Sequence, residues 1–338
     1  MRLVTQSRGL VGRLFGVAVA AGCALTAIEA KAQLTLNAAG IADGFSLSTF
    51  YRDPAATYGL VGSVGIGGST VIGSGYARNQ IYKFNDVDGQ SFGTALLTVA
   101  AGGTPTDVAT AAGVAYVGLL GGHYYSINPT TLALTVVPVS NAITATYGLW
   151  GNQTNGHLIA GTNQGLVDIN PLTGAFTVVG NPGGNIDGVT VSPDGTVAYI
   201  ETNSNAIFGY SLISPSPSTP VFSRTGLAGG PDGTGIISGG LFDGYIVVNN
   251  NDGTVGLINH VTGVETVIAS GGTRGDLVAP DTNNGTLFLA NADQTYRLSC
   301  GPNCAIGSVP TVPEPETYAL MMAGLAAIGW VGRRRRKQ

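Results

Sequence analysis

The sequence predicts an all-β protein, a six-bladed β-propeller with four-stranded blades, flanked by an N-terminal signal peptide and a short C-terminal transmembrane helix. Its composition supports this fold class, because 53 glycines and only 10% charged residues in a chain of 338 are typical of short strands joined by tight turns. A repeat supports it further. One strand-like segment recurs at intervals of 40 to 45 residues, and it ends at Asn85, Asn128, Asn170, Ser214, Asn259 and Ser299.

Each repeat has the same internal order, which the fourth repeat shows most clearly. An apolar strand, Gly188–Val191, is followed by the turn Ser192–Gly195 and a second strand, Val197–Ile200. An Asn- and Gly-containing turn, the marked segment and usually a fourth strand come next, and four antiparallel strands in about 40–45 residues form one propeller blade. Residues 188–200 resemble the YVTN/NHL-type propeller repeat. The resemblance implies a propeller over residues 57–300 and selects no function, and a seventh blade or a β-solenoid is the structural alternative.

The ring is predicted to be closed by the N-terminal segment, residues 33–56. The sixth repeat lacks a clear fourth strand after Ser299, whereas Phe45–Tyr51 alternates in the way that an outer strand does. Pairing between these two ends of the chain would remove exposed sheet edges, which promote aggregation. We therefore expect Phe45–Tyr51 to pair with the last blade.

Residues 1–32 are predicted to be a signal peptide that signal peptidase removes. Three arginines precede an apolar stretch, Leu14–Ile28, and Ala30-Lys31-Ala32 is a small-x-small cleavage site before Gln33. Cys23 follows Ala-Ala-Gly, as in lipoproteins, but the apolar stretch continues past it, which disfavours lipidation. The body of the protein is therefore expected outside the inner membrane.

Two cysteines remain in the chain after this cleavage. Cys300 and Cys304 enclose Gly-Pro-Asn, and in an oxidising compartment such a pair is a candidate disulfide. A loop this short contributes only about 2 kcal/mol, so it would fasten the chain locally where the linker, residues 301–312, begins.

The C-terminal segment, residues 313–338, has three parts in a fixed order. Pro313-Glu314-Pro315 is followed by an apolar run, Tyr318–Val331, and then by the cluster Arg333–Lys337. As a helix the apolar run is roughly 21 Å long, shorter than the ~30 Å hydrocarbon core of a membrane. Arginine side chains at its end can extend to the interface, and positive charge stays on the cytoplasmic side.

This three-part tail resembles the PEP-CTERM sorting signal of Gram-negative bacteria. The resemblance implies transient anchoring in the inner membrane, recognition by the membrane protease-transpeptidase exosortase and removal of the tail near Pro313-Glu314-Pro315. The body would then reach the cell surface or the extracellular space. Such proteins are usually associated with exopolysaccharide and biofilm matrix, so polysaccharide or other envelope components are the partners it implies.

The charge of the body excludes one large class of partner. Between the predicted signal peptide and the sorting tail there are 6 Lys and Arg residues against 16 Asp and Glu residues. A surface with this excess of negative charge repels phosphate backbones, so we expect no nucleic-acid binding.

No catalytic residues and no metal ligands are predicted. His123, His157 and His260 occupy different positions in their repeats and are not expected to converge, and no metal-binding spacing of His or Cys is present. The segment Asp86-Val87-Asp88-Gly89 begins like a calcium-binding loop but lacks the downstream glutamate of that motif, which favours a plain turn.

One set of positions is a candidate ligand site. The first strand of each repeat starts with an aspartate or a tyrosine in five repeats, and the fifth repeat is assigned a start at Gly235. Because the innermost strands of a propeller line its central channel, these residues would surround one mouth of that channel. They could bind a cation or a sugar-like ligand, and the alternative is that they cap turns and pack between blades. The candidate residues are Asp107, Asp187, Asp276, Tyr58 and Tyr147.

The function predicted from these observations is that of an exported, non-catalytic binding or extracellular-matrix protein without a cofactor. The alternative is a secreted, lactonase-like enzyme with a metal ion, Ca²⁺ being the candidate, in the central channel. The two differ in whether oxygen ligands converge on one ion in that channel.

Overall fold

The computed structural model describes residues 33–55, 57–202 and 204–301. The predicted signal peptide and the sorting tail lie outside these ranges. Across the part of the chain that is described, no helix is long and apolar enough to cross a membrane. The described residues form six antiparallel sheets, which confirms the predicted six-bladed β-propeller.

In each blade the strands lie side by side in chain order, and the first strands of successive blades contact one another around a closed ring. The strands of the first three blades are, for blade 1, Leu60–Ile66, Thr70–Gly75, Gln80–Asn85 and Leu97–Ala100, for blade 2, Pro105–Ala111, Val114–Leu119, Tyr124–Ile127 and Leu134–Val136, and, for blade 3, Ala145–Asn152, His157–Thr162, Gly165–Ile169 and Phe176–Gly180.

Blades 4 to 6 follow the same order, except that blade 6 receives its outer strand from the N-terminal segment. Their strands are, for blade 4, Val189–Val191, Val197–Glu201, Ala206–Ser211 and Phe222–Thr225, for blade 5, Pro231–Ile236, Ile246–Asn250, Val255–Ile258 and Glu265–Ser270, and, for blade 6, Gly275–Asp281, Thr286–Asn291, Gln294–Ser299 and Ser46–Arg52.

Ser46–Arg52 closes the ring. It pairs antiparallel with Gln294–Ser299, with Leu47 opposite Leu298, which is the pairing expected of Phe45–Tyr51. A short strand, Gln90–Ser91, then pairs with Ser46–Arg52 in parallel and covers its outer edge. The closing strand thus joins two distant parts of the chain, and one end of its outer edge is covered.

Short elements complete the fold. The strand Thr35–Leu36 pairs with the outer strand of blade 5, and the helix Ala38–Ala42 leads from there to blade 6. Three single-turn 3₁₀ helices, Tyr76–Arg78, Phe92–Thr94 and Gly240–Phe242, lie in the connections between strands.

The asparagine that marks the repeats is explained by a turn. The side-chain oxygen of Asn170 accepts hydrogen bonds from the backbone N–H groups of Leu172 and Thr173, at 3.0 and 3.1 Å, and Gly174 adopts a positive φ of 73°. Asn128 and Asn259 make the same pair of bonds in their own turns. In these three repeats the asparagine that marks the repeat in the sequence therefore caps the turn between the third and fourth strands.

Glycine lets the innermost strands approach each other closely. A Cβ atom on Gly188 would lie 2.6 Å from the backbone nitrogen of Thr234 in the next blade. One on Gly148 would lie 2.7 Å from the backbone oxygen of Asp187. The innermost strands consequently pack backbone against backbone around the axis, and side chains can line a cavity only where these strands begin.

Candidate functional site

A pocket of about 270 Å³ lies at the end of the channel where the innermost strands begin. Four of the five candidate residues line it, Tyr58, Tyr147, Asp187 and Asp276. The remaining lining residues are Val61, Tyr76, Asn185 and Arg274. The fold therefore brings side chains from blades 1, 3, 4 and 6 to one place, as the equivalent strand positions predicted.

Three tyrosines form what we call the aromatic wall: Tyr58, Tyr76 and Tyr147. The rings of Tyr58 and Tyr76 are 5.7 Å apart at 77°, an edge-to-face arrangement that stabilises aromatic pairs. Partial burial, helped by interaction with the hydroxyl of Tyr76, raises the pKa of Tyr147. The wall is thus held by its own contacts before any ligand binds.

Four carboxylates form the acidic wall: Asp187 and Asp276 in the pocket lining, and Glu201 and Asp232 buried next to Asp187. One oxygen from each of Asp187, Glu201 and Asp232 lies within 4.8 Å of the others. Glu201 accepts a hydrogen bond from the backbone N–H of Gly188 at 2.9 Å. Asp232 is fully buried, and its Oδ1 atom has no hydrogen-bond partner among the described residues.

Arg274 connects the two walls. Its Nε and Nη2 atoms donate to Oδ2 of Asp232 at 3.1 and 2.7 Å, and its Nη1 atom donates to the hydroxyl of Tyr58 at 2.7 Å. Its guanidinium carbon is 5.2 Å from the centre of the Tyr58 ring, within the range of a cation–π contact. Nearby carboxylates raise the pKa of Arg274, although its own burial acts in the opposite direction.

The ionised form of Asp276 is disfavoured by its surroundings in the acidic wall. Burial, helped by the charges of Asp232 and Asp187, raises the pKa of Asp276 to about 7, although Arg274 acts in the opposite direction. A carboxyl group with such a pKa is poised between its two protonation states near neutral pH. Positive charge bound at the pocket would stabilise its ionised form.

Asp107, the fifth candidate residue, is fully buried and does not line the pocket. Its carboxylate accepts hydrogen bonds from the backbone N–H groups of Val108 and Leu149, at 2.8 and 3.4 Å. Burial raises the pKa of Asp107 well above its usual range, although these bonds act in the opposite direction. The structure thus places Asp107 beside the site, where it holds blades 2 and 3 together.

Sequence reasoning missed several residues of the site, and one of them had a visible signal. Asp232-Gly233 follows Asp187-Gly188 by 45 residues, in step with the repeat, so the start of the fifth innermost strand lies at Pro231 and not at Gly235. The other missed residues come from loops and from a second strand, where the repeat gives no guide. They are Tyr76, Asn185, Glu201 and Arg274.

The remaining candidate residues are placed as follows. None of the three histidines lines the pocket, and His157 instead contacts Asp168 at 2.7 Å on blade 3. Cys300 is buried and disulfide-bonded. Cys304 and Pro313-Glu314-Pro315 lie outside the described residues, so the pairing of Cys300 with Cys304 stays a prediction.

The comparison with protein families identifies the C-terminal sorting signal. Residues 311–336 match the PEP-CTERM protein-sorting motif. The tail is therefore a sorting signal, which implies an exported protein that exosortase processes at the membrane. No curated protein sequence matches the chain.

Solved structures share the fold of the body. A gluconolactonase from Xanthomonas campestris superimposes with a TM-score of 0.59 at 13% identity, over 78% of this chain and 94% of the other. Regucalcin, a calcium-binding protein from Agrobacterium tumefaciens, gives 0.54 at 14%, over 77% and 97%. Virginiamycin B lyase from Staphylococcus aureus gives 0.51 at 13%, over 75% and 99%. At these identities the similarity is one of fold.

Proposed function

We propose that this protein is an exported, non-catalytic binding protein that takes a small polar ligand in the pocket at the mouth of its channel. The observation that carries the proposal is the joining of an aromatic wall and an acidic wall in one cavity. Its volume of about 270 Å³ lies just below the usual range of small-molecule sites, ~300–1,000 Å³, so the bound group is small.

We further propose that the body acts at the cell surface or in the extracellular matrix, in association with exopolysaccharide or other envelope components. The sorting motif supports this destination, because it assigns the chain to exosortase. The excess of Asp and Glu in the body supports it as well, since this charge disfavours contact with nucleic acids and with anionic membranes.

Ligand titration of the purified protein tests the binding proposal. Monosaccharides, small amines and divalent cations are added separately while the melting temperature is followed, for the natural protein and for Tyr147→Ala and Asp187→Asn. We expect at least one class to raise the melting temperature of the natural protein and to have little effect on both variants. Stabilisation that is equal in all three proteins would place the ligand elsewhere and refute the proposal.

A second candidate function is that of a metal-dependent hydrolase acting on lactones. The observation that favours it is the convergence of Asp187, Glu201 and Asp232, whose oxygens lie within 4.8 Å of one another. Oxygen ligands of this type suit Ca²⁺, which takes about six to eight of them, so these three fit the ion in part. The bond from Arg274 to Asp232 competes with an ion for the same carboxylate.

Two measurements separate the second candidate from the first. A metal-dependent lactonase requires stoichiometric Ca²⁺ binding that is lost in Asp232→Asn, together with hydrolysis of a sugar lactone that depends on the ion. Calcium binding without hydrolysis would leave the binding proposal in place with the ion as ligand. Hydrolysis that disappears in Asp232→Asn would refute it.

A further inference from the structure

The pocket holds more negative than positive charge. Its acidic wall has two carboxylates in the lining and two buried next to Asp187, whereas Arg274 is the one cationic side chain that the described residues contribute to the lining. The guanidinium of Arg274 is already engaged by Asp232, by Tyr58 and by the side-chain oxygen of Asn251 at 2.8 Å. Little of its positive charge is left to meet an anionic ligand, so the site favours a cation.

One atom of the acidic wall needs a partner. Oδ1 of Asp232 is buried in a residue that is 0% exposed, and it accepts no hydrogen bond from the described residues. Burying a carboxylate oxygen without a partner is costly, and a bound cation nearby would offset that cost. Asp276 points the same way, because burial and the charges of Asp232 and Asp187 disfavour its ionised form, which a cation would stabilise.

The aromatic wall favours an organic cation over a bare metal ion. A bare metal ion would use the carboxylates and leave the faces of Tyr76 and Tyr147 without a role. An ammonium ion that carries carbon substituents contacts both walls, because its charge is attracted to carboxylates and its C–H groups pack on aromatic rings. Tyr58 already makes such a contact with Arg274, which shows that the wall accommodates a cation at this distance.

We infer that the pocket binds the ammonium group of a small organic cation between the tyrosines and the carboxylates. The inference rests on the proposed binding function and names the chemical class of its ligand. Two sources supply this group, a quaternary ammonium such as that of choline and the primary ammonium of an amino sugar. The pocket volume suits either head group but not a long chain.

Two pairs of nearly isosteric probes test the inference on the purified full chain in nonionic detergent. Choline is compared with 3,3-dimethylbutan-1-ol, in which a carbon replaces the charged nitrogen, and glucosamine is compared with glucose. Calorimetric titration at pH 7 and low salt, where most of the amino sugar carries its proton, gives each dissociation constant. We expect the charged member of at least one pair to bind ten times more tightly or better than its neutral partner, and the pair that does so identifies the source.

Variants test whether the preference for the charged probe depends on the aromatic wall and the acidic wall. Tyr147→Leu should weaken binding of the charged probe about three- to tenfold, as expected for loss of one cation–π contact. Asp276→Asn should abolish the preference for the charged member. Tyr125→Leu and Asp43→Asn alter residues outside the pocket and are matched controls that should leave both constants unchanged.

The failure of this inference is distinguishable from failure of the proposed function. If neutral probes bind as tightly as charged ones, or only Ca²⁺ binds, the ammonium assignment is wrong and the binding site stands. If the charged probes bind equally well to Tyr147→Leu and Asp276→Asn, the pocket is not their site and the inference is overturned. If no probe binds, the inference and the proposed function both fail.

Discussion

Two arginines of this propeller form ion pairs with buried carboxylates, and their surroundings differ. Arg297, at the closure of the ring, forms ion pairs with Asp86 at 2.6 Å, Asp88 at 3.6 Å and Asp281 at 3.5 Å. Arg274, at the mouth of the channel, pairs with Asp232 at 2.7 Å. The side chain of Arg297 is 12% exposed and that of Arg274 is 42% exposed. The first arginine is enclosed by the fold, whereas the second borders a cavity.

The partners of the carboxylates explain this difference. At the closure, Asn283 donates to Asp86 at 2.8 Å, and Asn284 donates to Asp281 at 3.0 Å. The rings of Phe50 and Phe288 lie 5.2 and 5.3 Å from the guanidinium of Arg297 and complete its enclosure. At the mouth, in contrast, Oδ1 of the buried Asp232 has no hydrogen-bond partner among the described residues. The carboxylates of the closure hold the ring together, whereas this one oxygen at the mouth remains available to a ligand.

The largest effect is expected from removing the arginine of the closure. Arg297→Met keeps the apolar stem but leaves Asp86 and Asp281 buried without their cation, which costs about 3–5 kcal/mol. Urea denaturation followed by fluorescence measures the loss in the free energy of unfolding. We also expect a lower yield of folded protein, because Arg297 links the strand Gln294–Ser299 to a loop of blade 1.

Arg224→Met is the matched control for this substitution. Arg224 bonds to the backbone oxygen of Gly263 at 2.9 Å and has no ion pair among those seen in the described residues, so its loss should cost less than about 1 kcal/mol. If both variants lose the same free energy of unfolding, the ion pairs of Arg297 contribute no more to stability than the single hydrogen bond of Arg224. The closure would then differ from the mouth only because the mouth borders a pocket.

These two regions also differ in how far the sequence predicts them. The blades were predictable because the turn at Asn170 is a local interaction that recurs at Asn128 and Asn259, and because Phe45–Tyr51 has the alternation of a strand. Tyr58, Tyr147, Asp187 and Asp276 were predictable because they occupy equivalent positions in their repeats. Their meeting in one pocket follows from the ring geometry, although Asp107, at the equivalent position of blade 2, is buried outside the lining.

The partners of these residues could not be predicted in the same way. Arg274 and Tyr76 belong to connections whose length and conformation vary from blade to blade, so their approach to the pocket depends on tertiary packing. Asp86 and Asp88 do meet a cation, but it is the side chain of Arg297, more than 200 residues further along the chain. The spacing of residues in the sequence cannot predict a contact between positions so far apart.

At the mouth, removal of a carboxylate should stabilise the protein. The pKa of Asp276 is about 7 in the folded protein and about 3.9 in an unfolded chain, so the folded form binds more protons between these values. The contribution of Asp276 to stability therefore falls as pH rises from 4 to 7. Asp276→Asn removes this penalty and should raise the free energy of unfolding at pH 8, by at most about 4 kcal/mol.

The measurement is the difference between the two stability curves from pH 4 to 8. Asp107, Asp187, Asp232, Arg274 and Tyr147 are the charged or titratable groups near Asp276, and all are retained in the variant. We expect the curves to separate as pH rises and Asp43→Asn to follow the natural protein. If Asp276→Asn is destabilised across the whole range, the acidic wall is a structural network like that of Arg297.

The smallest effect is expected within the aromatic wall. Tyr76→Phe removes the hydroxyl that interacts with Tyr147 and keeps the ring that packs edge-on against Tyr58. Loss of this partly exposed polar interaction should cost less than about 1 kcal/mol of stability, and it leaves the ring of Tyr147 freer to turn. Choline affinity should then fall about two- to threefold, since a cation–π contact depends on the orientation of the ring.

Tyr116→Phe provides the comparison, because Tyr116 lies on the second strand of blade 2 and does not line the pocket. It should leave choline affinity unchanged. If Tyr76→Phe loses stability but binds choline as before, Tyr76 supports the fold in the way that Phe50 and Phe288 support Arg297. If affinity falls while stability barely changes, the hydroxyl of Tyr76 orients the binding surface and contributes little to the stability of the propeller. The mouth of the channel then differs from the closure, where the side chains stabilise the fold.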